Sequence, residues 1–123
     1  MPAPAALPPA PLVLIHTHLH RAGHGRVRLL LRCLTKAARC SGVLALRARL
    51  TFVVHQGRRR LSHVVFITLA RTRFAAARRD FLVTLHLGSR ARALLRSHRG
   101  RLALQVVIAC PGTRERVFGV TLR

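Results

Sequence analysis

The segment RCLTKAARCSG (Arg32–Gly42) sets two cysteines, Cys33 and Cys40, between two stretches that alternate like β-strands. Before it, Arg26–Leu34 places Val27, Leu29, Leu31 and Cys33 on one face and Arg26, Arg28 and Arg32 on the other, with Leu30 interrupting the polar side. Successive strand side chains point to opposite sides of a sheet, so this period of two predicts a strand with one dry and one wet face. After it, Val43–His55 alternates again, with Leu44, Leu46, Leu50, Phe52 and Val54 set against Arg47, Arg49 and Thr51. The segment reads as the clasp of a small all-β module. By spacing alone its cysteines fit either a bridge or two buried thiols.

Downstream, Gln56–Arg60 carries Gly57 and three arginines, the composition of a turn. In Leu61–Ala70 the residues Val64, Val65, Phe66, Ile67 and Leu69 are apolar in both phases, which predicts a strand covered on both sides. A short piece around Phe74 follows. Asp80–Leu87 then alternates, with Phe81, Val83, Leu85 and Leu87 inward. Ser89–Arg99 is the one helical candidate. Ser89 offers a capping hydroxyl, Ala91, Leu94, Leu95 and His98 share helical spacing, and Gly100 suits the C-terminal stop. Too short to stand alone, it is expected to pack across one end of the fold. Arg101–Ala109 returns to strand through Leu102, Leu104, Val106 and Ile108; Cys110–Thr113 turns; Glu115–Arg123 closes the chain.

Upstream, residues 1–11 are rich in Pro and Ala and read as an extended linker, leaving residues 12–123 as one domain. From Leu12 the chain reads as a strand running through His20, followed by a turn at Gly23-His24-Gly25. Seven or eight short strands separated by turn residues predict an all-β antiparallel sandwich, with the helix in a late crossover.

The 123 residues carry 23 Lys+Arg against 2 Asp+Glu, a net charge of +21, and every basic residue except Lys36 is arginine. With so much Ala, Leu, Gly and Pro, this points to a GC-rich coding sequence, and part of the charge is attributable to codon bias. Asp80 and Glu115 are the only carboxylates, too few for an acid–base pair or an oxygen cage for Ca²⁺ or Mg²⁺. No nucleophile, base and orienting group can be assembled, so no enzyme and no cofactor is expected. The absence of Trp and Tyr weakens a base-stacking account of nucleic-acid binding. The opening apolar stretch has no basic start and is broken by prolines, unlike a signal peptide, and no run approaches the roughly 20 apolar residues of a membrane helix.

Three sets of residues have the chemistry of sites. His16, His18 and His20 share a face if the strand is regular, with His24 just beyond; such imidazoles can chelate Zn²⁺ or Cu²⁺, although a solvated edge strand is the default expectation. Arg58, Arg59 and Arg60, and the helical face of Arg90, Arg92, Arg96 and Arg99, could hold anionic polymers in a salt-dependent, sequence-blind way. Arginines spread over nearly every element, rather than gathered into one stripe, favour a solvated surface over a specific nucleic-acid stripe. The apolar second faces, Leu12–Ile15, Val65/Ile67/Leu69 and Ala103/Val107, exceed the needs of one core and predict docking to a neighbouring domain or a second copy.

The stretches RCLTKAARCSGVLALRARL (Arg32–Leu50), RTRFAAARRDFLVTLHLGSRARALLRSHRGRLALQVVIA (Arg71–Ala109) and VFGVTLR (Val117–Arg123) resemble a known family. They are similar to immunoglobulin-like repeat domains in secreted and surface proteins of GC-rich actinobacteria, over roughly Arg26 to Arg123. The resemblance implies an immunoglobulin-like sandwich, an extracellular address and a non-catalytic structural or interaction role. It also favours a Cys33–Cys40 disulfide, worth roughly 2–3 kcal/mol for so short a loop. Cys110 then remains over, as a small buried hydrophobe or a thiol open to another chain. The chain departs from that family at CPGTRER (Cys110–Arg116), where an Asp- or Asn-bearing hairpin is usual, and in lacking a Thr/Ser-rich surface. The competing expectation is a small basic nucleic-acid-binding protein of ribosomal type. A further alternative is an unselected frame of a GC-rich genome.

Overall fold

The computed structural model describes residues 7–21, 25–35, 39–97 and 103–122. Eight strands and one helix follow in the order β1 (Leu12–Leu14), β2 (His18–Leu19), β3 (Arg26–Cys33), β4 (Cys40–Gln56), β5 (Arg59–Ala76), β6 (Asp80–His86), α1 (Ser89–Ser97), β7 (Ala103–Ala109) and β8 (Arg116–Leu122). They form two sheets, one ordered β1-β3-β6 and the other β2-β8-β7-β4-β5. Every pairing is antiparallel except that of β2 with β8. The expected all-β two-sheet sandwich with one late helix is what the chain forms.

The period-two reading carries directly into burial. In β3 the odd positions Val27, Leu29, Leu31 and Cys33 are buried; in β4 Cys40, Leu44, Leu46 and Ala48 are. β6, β7 and β8 add Val83, Leu85, Leu104, Val106, Ile108 and Val120 to the same core. Apolar side chains alternate inward from both sheets, and that burial is the main force holding the layers together.

The clasp joins the two layers. β3 lies in the three-stranded sheet and β4 in the five-stranded one, so the Cys33–Cys40 disulfide, with Cα atoms 6.0 Å apart, links the sheets at one end. Backbone bonds hold that end: Cys33 N–H donates to Arg79 O (2.7 Å) and Leu34 N–H to Pro11 O (2.8 Å). Lys36, Ala37 and Ala38 lie outside the described residues.

Just after the clasp, Gly42 sits where β4 passes β7, and a Cβ there would run into the carbonyl oxygen of Ala109 and crowd Cys110 Sγ. Gly42→Ala must therefore push two paired backbones apart. We expect it to cost about 1–3 kcal/mol, as overpacking does, read as a lowered urea midpoint; an unchanged midpoint would contradict this close approach.

Several boundaries differ from the sequence reading. The run Leu12–His20 is not one strand: it bends at residues 15–17 and passes from β1 in one sheet to β2 in the other. Alternation is blind to such a switch, because each half keeps its own phase. The piece around Phe74 is the end of the long strand β5, not a separate element. Gly88, not Ser89, is the helix N-cap, since its carbonyl accepts the first helical bond from Arg92 N–H (3.0 Å). Of the stretch read as linker, Ala10 is fully buried and its N–H donates to Arg114 O (2.9 Å), while Arg114 N–H donates to Pro8 O (2.7 Å). Residues 1–6, His24, His98, Arg99 and Gly100 lie outside the described residues. No helix among the described residues is long and apolar enough to cross a membrane.

Candidate interaction surface

The largest departure from expectation lies in β4 and β5. The described ladder between β4 and β7 ends at Arg49, opposite Ala103, but β4 continues to Gln56 with β5 as its partner. Leu50–Gln56 and Arg59–Val65 thus form a two-stranded arm, about 24 Å long at roughly 3.4 Å per residue. Pairing persists to Gln56 opposite Arg59, so the turn is only Gly57-Arg58, with Gly57 at φ +60°. That conformation costs glycine nothing and strains other residues.

The stretch Leu61–Ala70, expected to be covered on both sides, is instead exposed through Thr68. Phe52, Val53, Leu61, Val64, Val65, Phe66 and Ile67 are each 36–48% exposed. A β-bulge explains why the strand is apolar in both phases. Leu46 opposes Ala70 and Arg47 opposes Thr68, so Leu69 is an extra residue. In the body, even-numbered β5 residues such as Ala70 and Phe74 face the core; beyond the bulge the odd-numbered Leu61, Val65 and Ile67 inherit that side. Leu69 is buried within the bulge itself.

Cross-strand register then sorts the arm into two faces. Ala48 pairs with Ile67, Leu50 with Val65, Phe52 with His63 and Val54 with Leu61; these continue the core side of β4. His63, which stacks on Phe52 with ring centroids 5.6 Å apart, interrupts this apolar face, and the pair Gln56 and Arg59 ends it at the tip. The opposite face mixes Val53, Val64 and Phe66 with Arg49, Thr51 and Ser62. There the Arg47 guanidinium lies 4.3 Å from the centre of the Phe66 ring, close enough for a cation–π contact.

Of the two arginine groups, one lies on this arm and the other on the helix. Arg58, Arg59 and Arg60 are exposed at the arm's tip. α1 leaves β6 beyond His86 and leads to β7 at Ala103, so it crosses between the sheets at the end from which the arm emerges. It buries Ala91 and Leu95 and leaves Arg90, Arg92 and Arg96 exposed. The third apolar face is modest: Val107 is buried, Ala103 exposed, and in β1 Leu12 and Leu14 are buried.

His16, His18 and His20 line one cleft together with Arg28, Leu30 and Leu82. His16 falls in the bend before β2, His18 Nδ1 lies 2.7 Å from Thr121 Oγ1, and His20 follows the strand. No group of three His, Cys, Asp or Glu among the described residues could hold a metal ion.

Asp80 is engaged with Arg32 opposite it in the β3–β6 ladder: Arg32 Nε donates to Oδ1 (2.9 Å) and Nη2 to Oδ2 (3.2 Å). The hydrogen bond from Arg32 holds the Asp80 carboxyl below its ordinary pKa, with the Arg32 and Arg79 charges adding and desolvation opposing. A depressed folded pKa contributes stability that is present above the usual carboxylate range near about 4 and is lost as pH falls below it. The pair is exposed, so we expect a small, salt-screened acid-side loss of melting temperature that Asp80→Asn removes; an unaltered acid limb in that variant would contradict the assignment. Burial pushes the Cys110 thiol up, which keeps it protonated and poorly nucleophilic at neutral pH.

No protein-family model matches the chain, and no curated protein sequence does. Among solved structures it is similar to Spo0M, a sporulation control protein from Bacillus subtilis, at 13% identity and a TM-score of 0.45. The match covers 97% of this chain and 50% of that one, so the chain spans half the length of that structure.

Proposed function

We propose that this chain is a non-catalytic interaction module of an exported or cell-surface bacterial protein, an immunoglobulin-like sandwich that docks through its hairpin arm. The exposed apolar arm carries this reading. A two-stranded ribbon is marginal in water on its own, and a contiguous apolar surface of this kind marks a partner site.

The connectivity supports the immunoglobulin-like part. In that fold the second and fifth strands share one sheet while the third, sixth and seventh share the other, with an additional strand beside the third in variable-type domains. Here β3 and β6 are neighbours, β4, β7 and β8 lie together, and β5 extends their sheet beyond β4. The Cys33–Cys40 bridge supports an oxidising, extracellular compartment. With Asp80 held by Arg32, the chain's chemistry is that of surfaces rather than of turnover.

An environment-sensitive apolar dye tests the docking element. Dye should bind the purified chain and lose most of its signal in a Leu61→Asp/Val65→Asp variant of unchanged melting temperature. A clean monomer that binds no dye would overturn the reading. So would tight RNA retention on filters falling steeply with salt, which belongs to a ribosomal-type protein.

A further inference from the structure

We infer that the arm's partner is an anionic phospholipid bilayer surface, on which the core-side face of the arm lies flat while the arginines at its tip reach the phosphates. This deepens the proposed docking role and rests on it. Three observations carry it.

First, the face is amphipathic in the sense an interfacial element needs. Leu50, Phe52, Val54, Leu61, Val65 and Ile67 form one apolar strip by register. The opposite side interleaves Val53, Val64 and Phe66 with Arg49, Thr51, His55, Arg60 and Ser62, and that denser set of polar groups favours it as the side left in water. Lying in the interface also leaves the edges of the ribbon among water and headgroups, whereas full insertion into hydrocarbon would strand their backbone groups.

Second, the tip of the strip carries positive charge, Arg58, Arg59 and Arg60, and α1 in the crossover between the sheets adds the exposed Arg90, Arg92 and Arg96 to the body. Guanidinium groups pair with phosphates in a forked, bidentate geometry, and their stems lie along apolar surface. Acyl chains below and phosphates around complement such a strip.

Third, the whole chain carries a net charge of +21, so positive charge extends well beyond these two clusters. A discrete acidic partner would meet a few of these arginines, while an extended anionic sheet meets many at once. A second copy would bring the same clusters against each other, and like charges disfavour that pairing.

The chain has no Trp, so single-tryptophan variants report position directly. Phe52→Trp marks the apolar strip and Val64→Trp the opposite face. With vesicles of equal parts phosphatidylcholine and phosphatidylglycerol, Trp fluorescence in the first variant should shift to the blue and be quenched by brominated acyl chains. In the second it should barely change. Binding should weaken on the order of a hundredfold when Arg58, Arg59 and Arg60 are all changed to Ser, roughly fivefold per arginine. It should be lost in Leu61→Asp/Val65→Asp while the melting temperature holds.

Equal shifts at both positions, no shift at either, or adsorption without any shift would overturn the proposal. Self-association that hides the arm before vesicles are added would overturn it in favour of a second copy, and protection of the arm by RNA in favour of nucleic acid. Dye binding to the arm without vesicle binding would leave the docking role standing and remove only the lipid.

Discussion

Leu46→Ala is expected to destabilise the fold by about 2–5 kcal/mol, the range for emptying a fully buried leucine site, whereas Leu61→Ala should cost under about 1 kcal/mol, as surface changes do. Both leucines occupy alternating positions of arginine-rich strands and look equivalent in the sequence. Leu46 is fully buried between the sheets; Leu61 sits on the arm at 39% exposure. Its truncation removes little that folding had taken out of water. Urea unfolding of the two variants side by side provides the measurement. Comparable losses would mean that the arm is packed into the core, and the docking surface would disappear with it.

Cys33→Ala/Cys40→Ala is expected to lower stability by roughly 2–3 kcal/mol, chiefly by releasing the unfolded chain from a short closed loop. The native state feels the change as well, because this bond joins β3 in one sheet to β4 in the other. Both cysteines are buried, so part of the loss comes from the missing sulfur contacts. The same drop should appear when the parent chain is unfolded under reductant, with no further effect of reductant on the double variant. A parent chain indifferent to reductant would remove the inter-sheet link, and with it the argument for an oxidising compartment.

The two variants mark where pattern reading succeeds and where it stops. Val27, Leu29, Leu31 and Cys33 are inward as their alternation predicts, and so are Val83 and Leu85. The clasp likewise brings Cys33 and Cys40 together as the resemblance implies. By contrast, the apolar run at Leu61–Ala70 cannot reveal whether its two faces are covered. Hydrophobicity states a preference for burial, and only the reach of β7 decides whether a neighbour is there to satisfy it. The described β7 ladder stops at Arg49, so the same kind of side chain that forms the core at Leu44 is left exposed at Phe52. The bulge at Leu69 hides in the same way, since one extra residue looks like a lapse in alternation until the partner strand is known.

The run Leu12–His20 is divided between two sheets for a related reason. Alternation continues through Leu12–His20, but the chain leaves one sheet and enters the other at residues 15–17. The signal for that step lies in the strands it joins, Cys33 opposite Leu12 and Thr121 opposite His18, far away in sequence.

The sequence by itself determined the class of fold, the inward residues of its body and the shortage of carboxylates, because period and composition are local properties of a chain. Only the tertiary structure decided that β4 and β5 outrun their sheet, that the arm has one side apolar but for His63 until Gln56 and Arg59 end it, and that three arginines sit at its tip. Those facts depend on where neighbouring strands end, and strand pairing is a property of residues distant along the chain.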